Sequence, residues 1–174
     1  MKKKWKGGHI QKYMIKRIIV EGPDCSGKST VVERIKNMLR WDSKSLHHRK
    51  GDQYERYLRE YSNNKKIVFD RSHFSEIVYS KLWRGGNPFS FEEENILNEV
   101  CKHQTLIIFV CPELKTLEKR YKDREFEQQI KLKELMQSRE FFVEIVNGFD
   151  VLFYESKNYD ELNELLEKVK ELVK

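Results

Sequence analysis

Apolar positions along the chain fall into two alternating signatures. Short, nearly continuous runs occur at Ile18-Ile19-Val20, Ile67-Val68-Phe69, Leu106-Ile107-Ile108-Phe109-Val110-Cys111 and Val151-Leu152-Phe153-Tyr154. Such runs suit strands of a parallel sheet covered on both faces. A further short strand is expected near Leu46-His47-His48. Between the runs, apolar residues recur at helical spacing: Val31, Val32, Ile35, Met38 and Leu39, then Ile96, Leu97, Val100 and Cys101. Leu132, Leu135, Met136, Phe142, Ile145 and Val146 mark a long helix, and Leu162, Leu165, Leu166, Val169, Leu172 and Val173 the last one. Gly85-Gly86-Asn87-Pro88 reads as a turn ahead of a helix start at Ser90 and Phe91. The alternation predicts a three-layer α/β domain with a mainly parallel sheet and right-handed crossovers.

One junction in this pattern carries chemistry. The first strand runs directly into Gly22-Pro23-Asp24-Cys25-Ser26-Gly27-Lys28-Ser29-Thr30, and the first helical stripe follows at once. Strand, glycine loop and helix with G-x-x-x-x-G-K-S spacing form a phosphate-binding P-loop. Gly22 and Gly27 let the backbone turn its N–H groups inward, and the helix adds the unpaired N–H groups of its first turn. Lys28 brings a full charge to the β- and γ-phosphates, and the Ser29 hydroxyl is the expected Mg²⁺ ligand. The four fixed letters alone arise by chance in roughly one chain of this length in a hundred. The flanking strand and amphipathic helix make coincidence rarer, and ATP with Mg²⁺ is the expected cofactor pair.

A second strand end points the same way. Asp70 closes the Ile67-Val68-Phe69 run, where an acid beside a P-loop strand can hold Mg²⁺ through water. Arg71, next to it, faces the crevice where a second phosphate can sit.

Charge narrows the partners. The net charge of +6 is concentrated in residues 1–17, which hold seven basic residues and no acid. The rest of the chain holds 27 basic and 28 acidic residues, a net of −1. The basic character therefore belongs to an extension, residues 1–16, expected to be flexible, ahead of a P-loop domain at 17–174. With 36% charged residues and a mean hydropathy of −0.77, no apolar run approaches the roughly 20 residues that cross a bilayer. Three cysteines, Cys25, Cys101 and Cys111, form no CxxC pair and fit free thiols in a reducing cytoplasm. A small nucleotide is the expected partner, membrane and nucleic acid are not, and a homodimer is left open.

The segment Glu21-Gly22-Pro23-Asp24-Cys25-Ser26-Gly27-Lys28-Ser29-Thr30 resembles the E-G-x-D-x-x-G-K-[ST]-T motif of thymidylate kinases. Their D-R-Y-x-x-S-x-x-A-Y-Q segment is matched at Asp70, Arg71, Ser75 and Tyr79, with departures at Ser72, Val78 and Ser80. Asp70-Arg71-Ser72 is also similar to the acid-Arg-Ser of deoxynucleoside kinases. The short stretch between Lys28 and Asp70 resembles compact viral or phage versions. The resemblance implies a five-stranded sheet in the order 2-3-1-4-5. It implies that Gly22, Asp24, Cys25, Ser26, Gly27, Lys28, Ser29 and Thr30 bind ATP, with Ser29 and Asp70 at the metal. It further implies that Asp24 contacts the acceptor sugar and Arg71 grips the acceptor phosphate, with Asp70, Phe74, Tyr79 and Arg49 completing the substrate site. The glutamine that helps those enzymes read thymine is Ser80 here.

Whether the acceptor is a nucleoside or a nucleotide turns on the stretch after the second strand. A 5′-hydroxyl needs a carboxylate base, whereas a monophosphate needs cations against charge repulsion. Ser45-Leu46-His47-His48-Arg49-Lys50-Gly51 has no carboxylate but holds Arg49 and Lys50. In Leu117–Glu125, Arg120 and Arg124 at i and i+4 are expected on one helix face of a lid, where a guanidinium fork suits a transferring phosphoryl group. Lys28, Arg71, Arg120 and Arg124 are the expected catalytic set. The expected reaction is ATP-dependent phosphorylation of a deoxynucleoside monophosphate, with a deoxynucleoside kinase as runner-up. A nucleic-acid end kinase using the basic extension ranks lower. A nucleotide-driven switch ranks lower too, because Asp70-Arg71-Ser72-His73 lacks the glycine of D-x-x-G.

Overall fold

The structure, a computed structural model, describes residues 14–124 and 130–173. Its strands are β1 (Arg17–Glu21), β2 (Asp42–Ser45), β3 (Ile67–Asp70), β4 (Thr105–Val110) and β5 (Val151–Tyr154). All neighbours pair in parallel, in the order β2-β3-β1-β4-β5. The helices are α1 (Lys28–Leu39), α2 (Gln53–Ser62), α3 (His73–Trp83), α4 (Phe91–Lys102), α5 (Leu114–Lys122), α6 (Leu132–Val146) and α7 (Tyr159–Val173).

Successive strand residues point to opposite faces, and this sorts the core. Ile18, Val20, Val68, Leu106, Ile108 and Val110 pack toward α1 and α7. Ile19, Phe69 and Ile107 face the other way, into a cluster with Tyr57, Tyr61, Phe74 and Leu97. Phe109 joins Leu117, Leu135 and Phe142 from α5 and α6. Both faces of the central strands are covered, which is why their sequences read as unbroken apolar runs. Full burial of each such side chain contributes about 1.5–3 kcal/mol.

Two expectations are corrected. The second strand lies at Asp42–Ser45, not at Leu46-His47-His48. It is an edge strand with Asp42 and Ser43 exposed, held by backbone pairing to β3 and by the ion pair of Lys44 with Glu60, so it needs no apolar run. Leu46 follows it, buried, its N–H donating to Asp70 O at 2.9 Å. The domain also starts earlier than residue 17. Ile15 is buried in the core, and Lys16 N–H donates to Gln104 O at 2.9 Å. The rest of the basic extension, residues 1–13, lies outside the described residues.

Arg17 is buried and ties the sheet's lower edge together. Its guanidinium donates to the carbonyls of Tyr61, Val100 and His103 and to Thr105 Oγ1. Among the described residues no helix is long and apolar enough to cross a membrane.

Candidate active site

The site grows from the register of two neighbouring strands. Val20 of β1 lies opposite Asp70 of β3, and Arg71 N–H donates to Val20 O at 3.1 Å. The loops after β1 and β3 therefore leave the sheet side by side. From there the chain winds to opposite sides of β1, which opens a crevice at the carboxyl ends of the strands.

The loop after β1 is built for close approach. Gly22 has φ 147°, and a Cβ there would lie 2.2 Å from Val110 O, so only glycine fits. Gly27 at φ 99° is the N-cap of α1 and offers no side-chain cap. The first-turn N–H groups of α1 are thus open to an anion, with the positive end of the helix behind them. Lys28 Nζ donates to Pro23 O at 2.7 Å and lies 3.9 Å from Asp24 Oδ1. Burial pulls its ammonium down to about 8. Ser26 Oγ is buried without a hydrogen-bond partner, while Ser29 and Thr30 are exposed at the helix start.

A metal can be tested against the same atoms. Asp70 Oδ1 is a buried oxygen with no hydrogen-bond partner, at the strand end facing the loop. Among the described residues no three His, Cys, Asp or Glu side chains cluster as a metal cage. One carboxylate and one hydroxyl, Asp70 and Ser29, fit a Mg²⁺ that takes its other ligands from phosphate and water.

Arg71 sits in the left-handed region at φ 74°. Its Nη2 donates to Asp24 Oδ1 at 2.6 Å, and its guanidinium lies over the Tyr79 ring, 5.1 Å from the centroid. Tyr79 in turn stacks on Trp83 at 5.1 Å. Behind this pair, Glu21 is fully buried and fastens α3 to β1. Its carboxylate accepts from Ser72 Oγ and Ser75 Oγ, each at 2.6 Å, and from Ser75 N at 3.3 Å. Burial pushes the Glu21 carboxyl up, against those serine hydrogen bonds.

Two cavities are formed, one against the loop and one beside α2 and α3. One of about 660 Å³ is lined by Cys25, Gly27, Thr30, Arg120, Arg124 and Tyr159 among others. Arg120 crosses it, donating to Ser26 O and Ser156 O, both at 2.7 Å. The other, about 430 Å³, has His48, Gln53, Tyr54, Glu76, Ser80 and Arg84 in its walls.

The structure thus gathers Gly22 to Thr30, Asp70, Arg71, Tyr79, Arg120 and Arg124 around one crevice. Arg124 differs from expectation: α5 ends at Lys122, so the two arginines share a cavity but not a helix face. Of the lid candidate Leu117–Glu125, Glu125 lies outside the described residues. Phe74 is fully buried, its ring 4.1 Å from His73 and 4.7 Å from Phe149, inside the core and in the wall of neither cavity. Arg49 is exposed after β2 and lines neither cavity. Glu21, Glu76 and Arg84 had no role in the sequence reading. The spacing of Glu76, Ser80 and Arg84 at i, i+4 and i+8 was the available signal for a polar face within an otherwise buried helix.

No model of a known protein family matches the chain. Among curated proteins, it is 21% identical over 112 residues to the SPbeta prophage-derived uncharacterized protein YorR of Bacillus subtilis (strain 168), covering 62% of this chain and 68% of that one. The solved structure of Bacillus subtilis YorR in complex with phosphorylated GDP superposes with a TM-score of 0.76 and 19% identity, over 90% of this chain and 95% of that one. Deoxyadenosine kinase from M. mycoides, with products dCMP and a flexible dCDP bound, gives 0.60 and 17% identity over 89% and 99%. Thymidylate kinase from Candida albicans gives 0.57 and 16% identity over 92% and 94%. These likenesses establish the fold, the P-loop fold of nucleotide kinases with its 2-3-1-4-5 sheet.

Proposed function

We propose that the protein transfers the γ-phosphoryl group of ATP to a deoxynucleoside monophosphate, giving ADP and the diphosphate. A bond forms between an acceptor phosphate oxygen and the γ-phosphorus as the bond to the β–γ bridging oxygen breaks. The loop amides and Lys28 hold the β- and γ-phosphates, and the cavity lined by Cys25, Thr30 and Tyr159 receives the donor nucleoside. Mg²⁺, held through Ser29 and Asp70, would neutralise phosphate charge. Arg120, already anchored on the P-loop at Ser26 O, or Arg124 offsets charge on the transferred group. Catalysis is positioning and electrostatics, with no covalent work for the protein.

The observation that carries this reading is Arg71. Its guanidinium is fixed by Asp24 and Tyr79 at the head of α3, whose following turns wall the 430 Å³ cavity. An acceptor with its base in that cavity meets a preset fork for its phosphate. YorR, solved with phosphorylated GDP, supports a nucleotide ligand for this fold.

A deoxynucleoside kinase is the second reading, favoured by Ser72 in Asp70-Arg71-Ser72 and by the likeness to deoxyadenosine kinase. Against it, the segment after β2 places no carboxylate before Asp52. Turnover of ATP with nucleosides, monophosphates and oligonucleotides separates the readings. Monophosphates are expected to have the highest kcat/KM; a preference for nucleosides or oligonucleotides overturns the proposal.

A further inference from the structure

The loop after β5 is held from two sides. Glu161, in the first turn of α7, accepts from Glu155 N on Oε1 at 3.0 Å and from Lys157 N on Oε2 at 2.7 Å. Between those two residues Ser156 is buried and sits in the left-handed region at φ 57°. A non-glycine residue keeps that conformation only where its surroundings hold it. From the opposite side Arg120 Nη2 donates to Ser156 O at 2.7 Å and to Ser156 Oγ at 3.1 Å, and its Nη1 donates to Ser26 O of the P-loop at 2.7 Å. The turn also abuts the P-loop directly: a Cβ on Gly27 would lie 3.2 Å from Ser156 Oγ.

The start of α7 does not need this carboxylate. Asn158 caps the helix, its Oδ1 accepting from Glu161 N at 2.9 Å and its carbonyl accepting from Leu162 N at 3.3 Å. In a capping box the third helical residue turns its side chain back to the N–H of the cap itself. Glu161 instead reaches past the cap to the two residues that bracket Ser156. Each of its oxygens serves the turn through a charge-assisted hydrogen bond.

From this arrangement we infer that Glu161 is a positioning residue for the phosphoryl donor. It sets the Ser156 turn, and through it the Arg120 bridge to the P-loop, before the nucleotide arrives. The inference rests on reading the 660 Å³ cavity as the donor site, since Ser156, Lys157 and Asn158 line it together with Gly27 and Arg120. Glu161 is not in the wall of that cavity, so it acts through the backbone of the turn and not by touching the donor. A wall that is already ordered leaves less entropy to lose on binding, and the gain appears in donor affinity. Without the carboxylate, Glu155 N and Lys157 N lose their acceptor and Ser156 relaxes toward the common backbone regions. Arg120 then loses the fixed carbonyl it bridges to. The cavity beside α2 and α3 shares none of these residues.

The test uses full-length Glu161→Ala and Glu161→Gln. With Mg²⁺ present, ADP affinity measured by calorimetry is expected to fall at least about tenfold in Glu161→Ala, the scale of one charge-assisted hydrogen bond. Glu161→Gln, whose amide keeps one accepting oxygen, is expected to lie between that variant and wild type. In turnover, KM for ATP should rise in the same order while KM for the monophosphate stays at the wild-type value. A role confined to stability would lower the folded fraction, and with it kcat, leaving both KM values unchanged. That result, an unchanged ADP affinity, or an equal rise in both KM values overturns the inference. Where Glu161→Ala does not fold, Glu161→Gln carries the same comparison. Failure of ADP to bind the wild type overturns the donor-site reading as well. Binding of ADP without transfer to any acceptor overturns the kinase reading alone, and the ADP affinities still decide the role of Glu161.

Discussion

Arg71 Nη2 and Asp24 Oδ1, 47 residues apart in sequence, are joined by a 2.6 Å charge-assisted hydrogen bond at the mouth of the crevice. The bond links the loop after β3 to the loop after β1. Both side chains remain about a quarter exposed, 24% and 25%, so the pair is fixed in place yet reachable by an incoming anion. Tyr79 beneath the guanidinium limits its plane, which leaves little ordering to be done when a phosphate arrives.

Arg71→Lys keeps the charge but removes the planar fork. A charge-assisted hydrogen bond contributes about 1.5–3 kcal/mol, so kcat/KM for the monophosphate acceptor should fall roughly tenfold or more. ATP hydrolysis without acceptor should change little. An equal loss in both assays would place Arg71 on the donor side.

Lys28→Met should abolish phosphoryl transfer while raising the stability of the ligand-free protein near neutral pH. The folded value is about 8 against the ordinary lysine value of 10.5, because burial disfavours the ammonium. Below pH 8 both folded and unfolded chains hold the proton, and the folded state carries the full penalty of a buried charge. Between 8 and 10.5 the folded chain sheds it first, so wild-type stability rises with pH. The variant should therefore be more stable by on the order of 1–3 kcal/mol at pH 7, with the margin closing by pH 10.5. Urea titrations of both proteins across this range check the sign. A variant less stable than wild type at pH 7 contradicts it.

His73 should make the protein acid-sensitive. It is fully buried, with Tyr61 Oη 2.8 Å from Nδ1 and Asn98 Oδ1 2.9 Å from Nε2. Desolvation holds its pKa down at about 4, despite the opposing bond to Asn98. The unfolded chain takes up a proton near pH 6.5 and the folded chain not until about 4. Stability is therefore lost as pH falls through that window, by on the order of 1–3 kcal/mol. His73→Gln should flatten this part of the curve even if it lowers stability at pH 7, and thermal melts from pH 7 to 4 measure the difference. Parallel curves for the two proteins would assign the acid sensitivity elsewhere.

What the sequence determined by itself is local. Strands buried on both faces announce themselves as apolar runs, and Val151–Tyr154 and Leu132–Val146 appear where periodicity places them. The P-loop is equally legible because its glycines answer to backbone needs within a few residues, φ 147° at Gly22 and φ 99° at Gly27. Tertiary structure decided the rest. The polar strand Asp42–Ser45 exists through backbone hydrogen bonds to β3, which no side-chain pattern records. Helix α3 is buried at eight successive positions, His73 to Ser80, so its apolar stripe vanishes and with it the periodic signal. Phe74 went to the core because the fold surrounds its ring with His73 and Phe149, although its motif lies beside the phosphate site. Glu76 became a buried acceptor because folding brings His48, 28 residues away, and Arg84 onto one of its oxygens. Motifs state what a backbone segment can do alone; the environment of a charge depends on partners that only folding supplies.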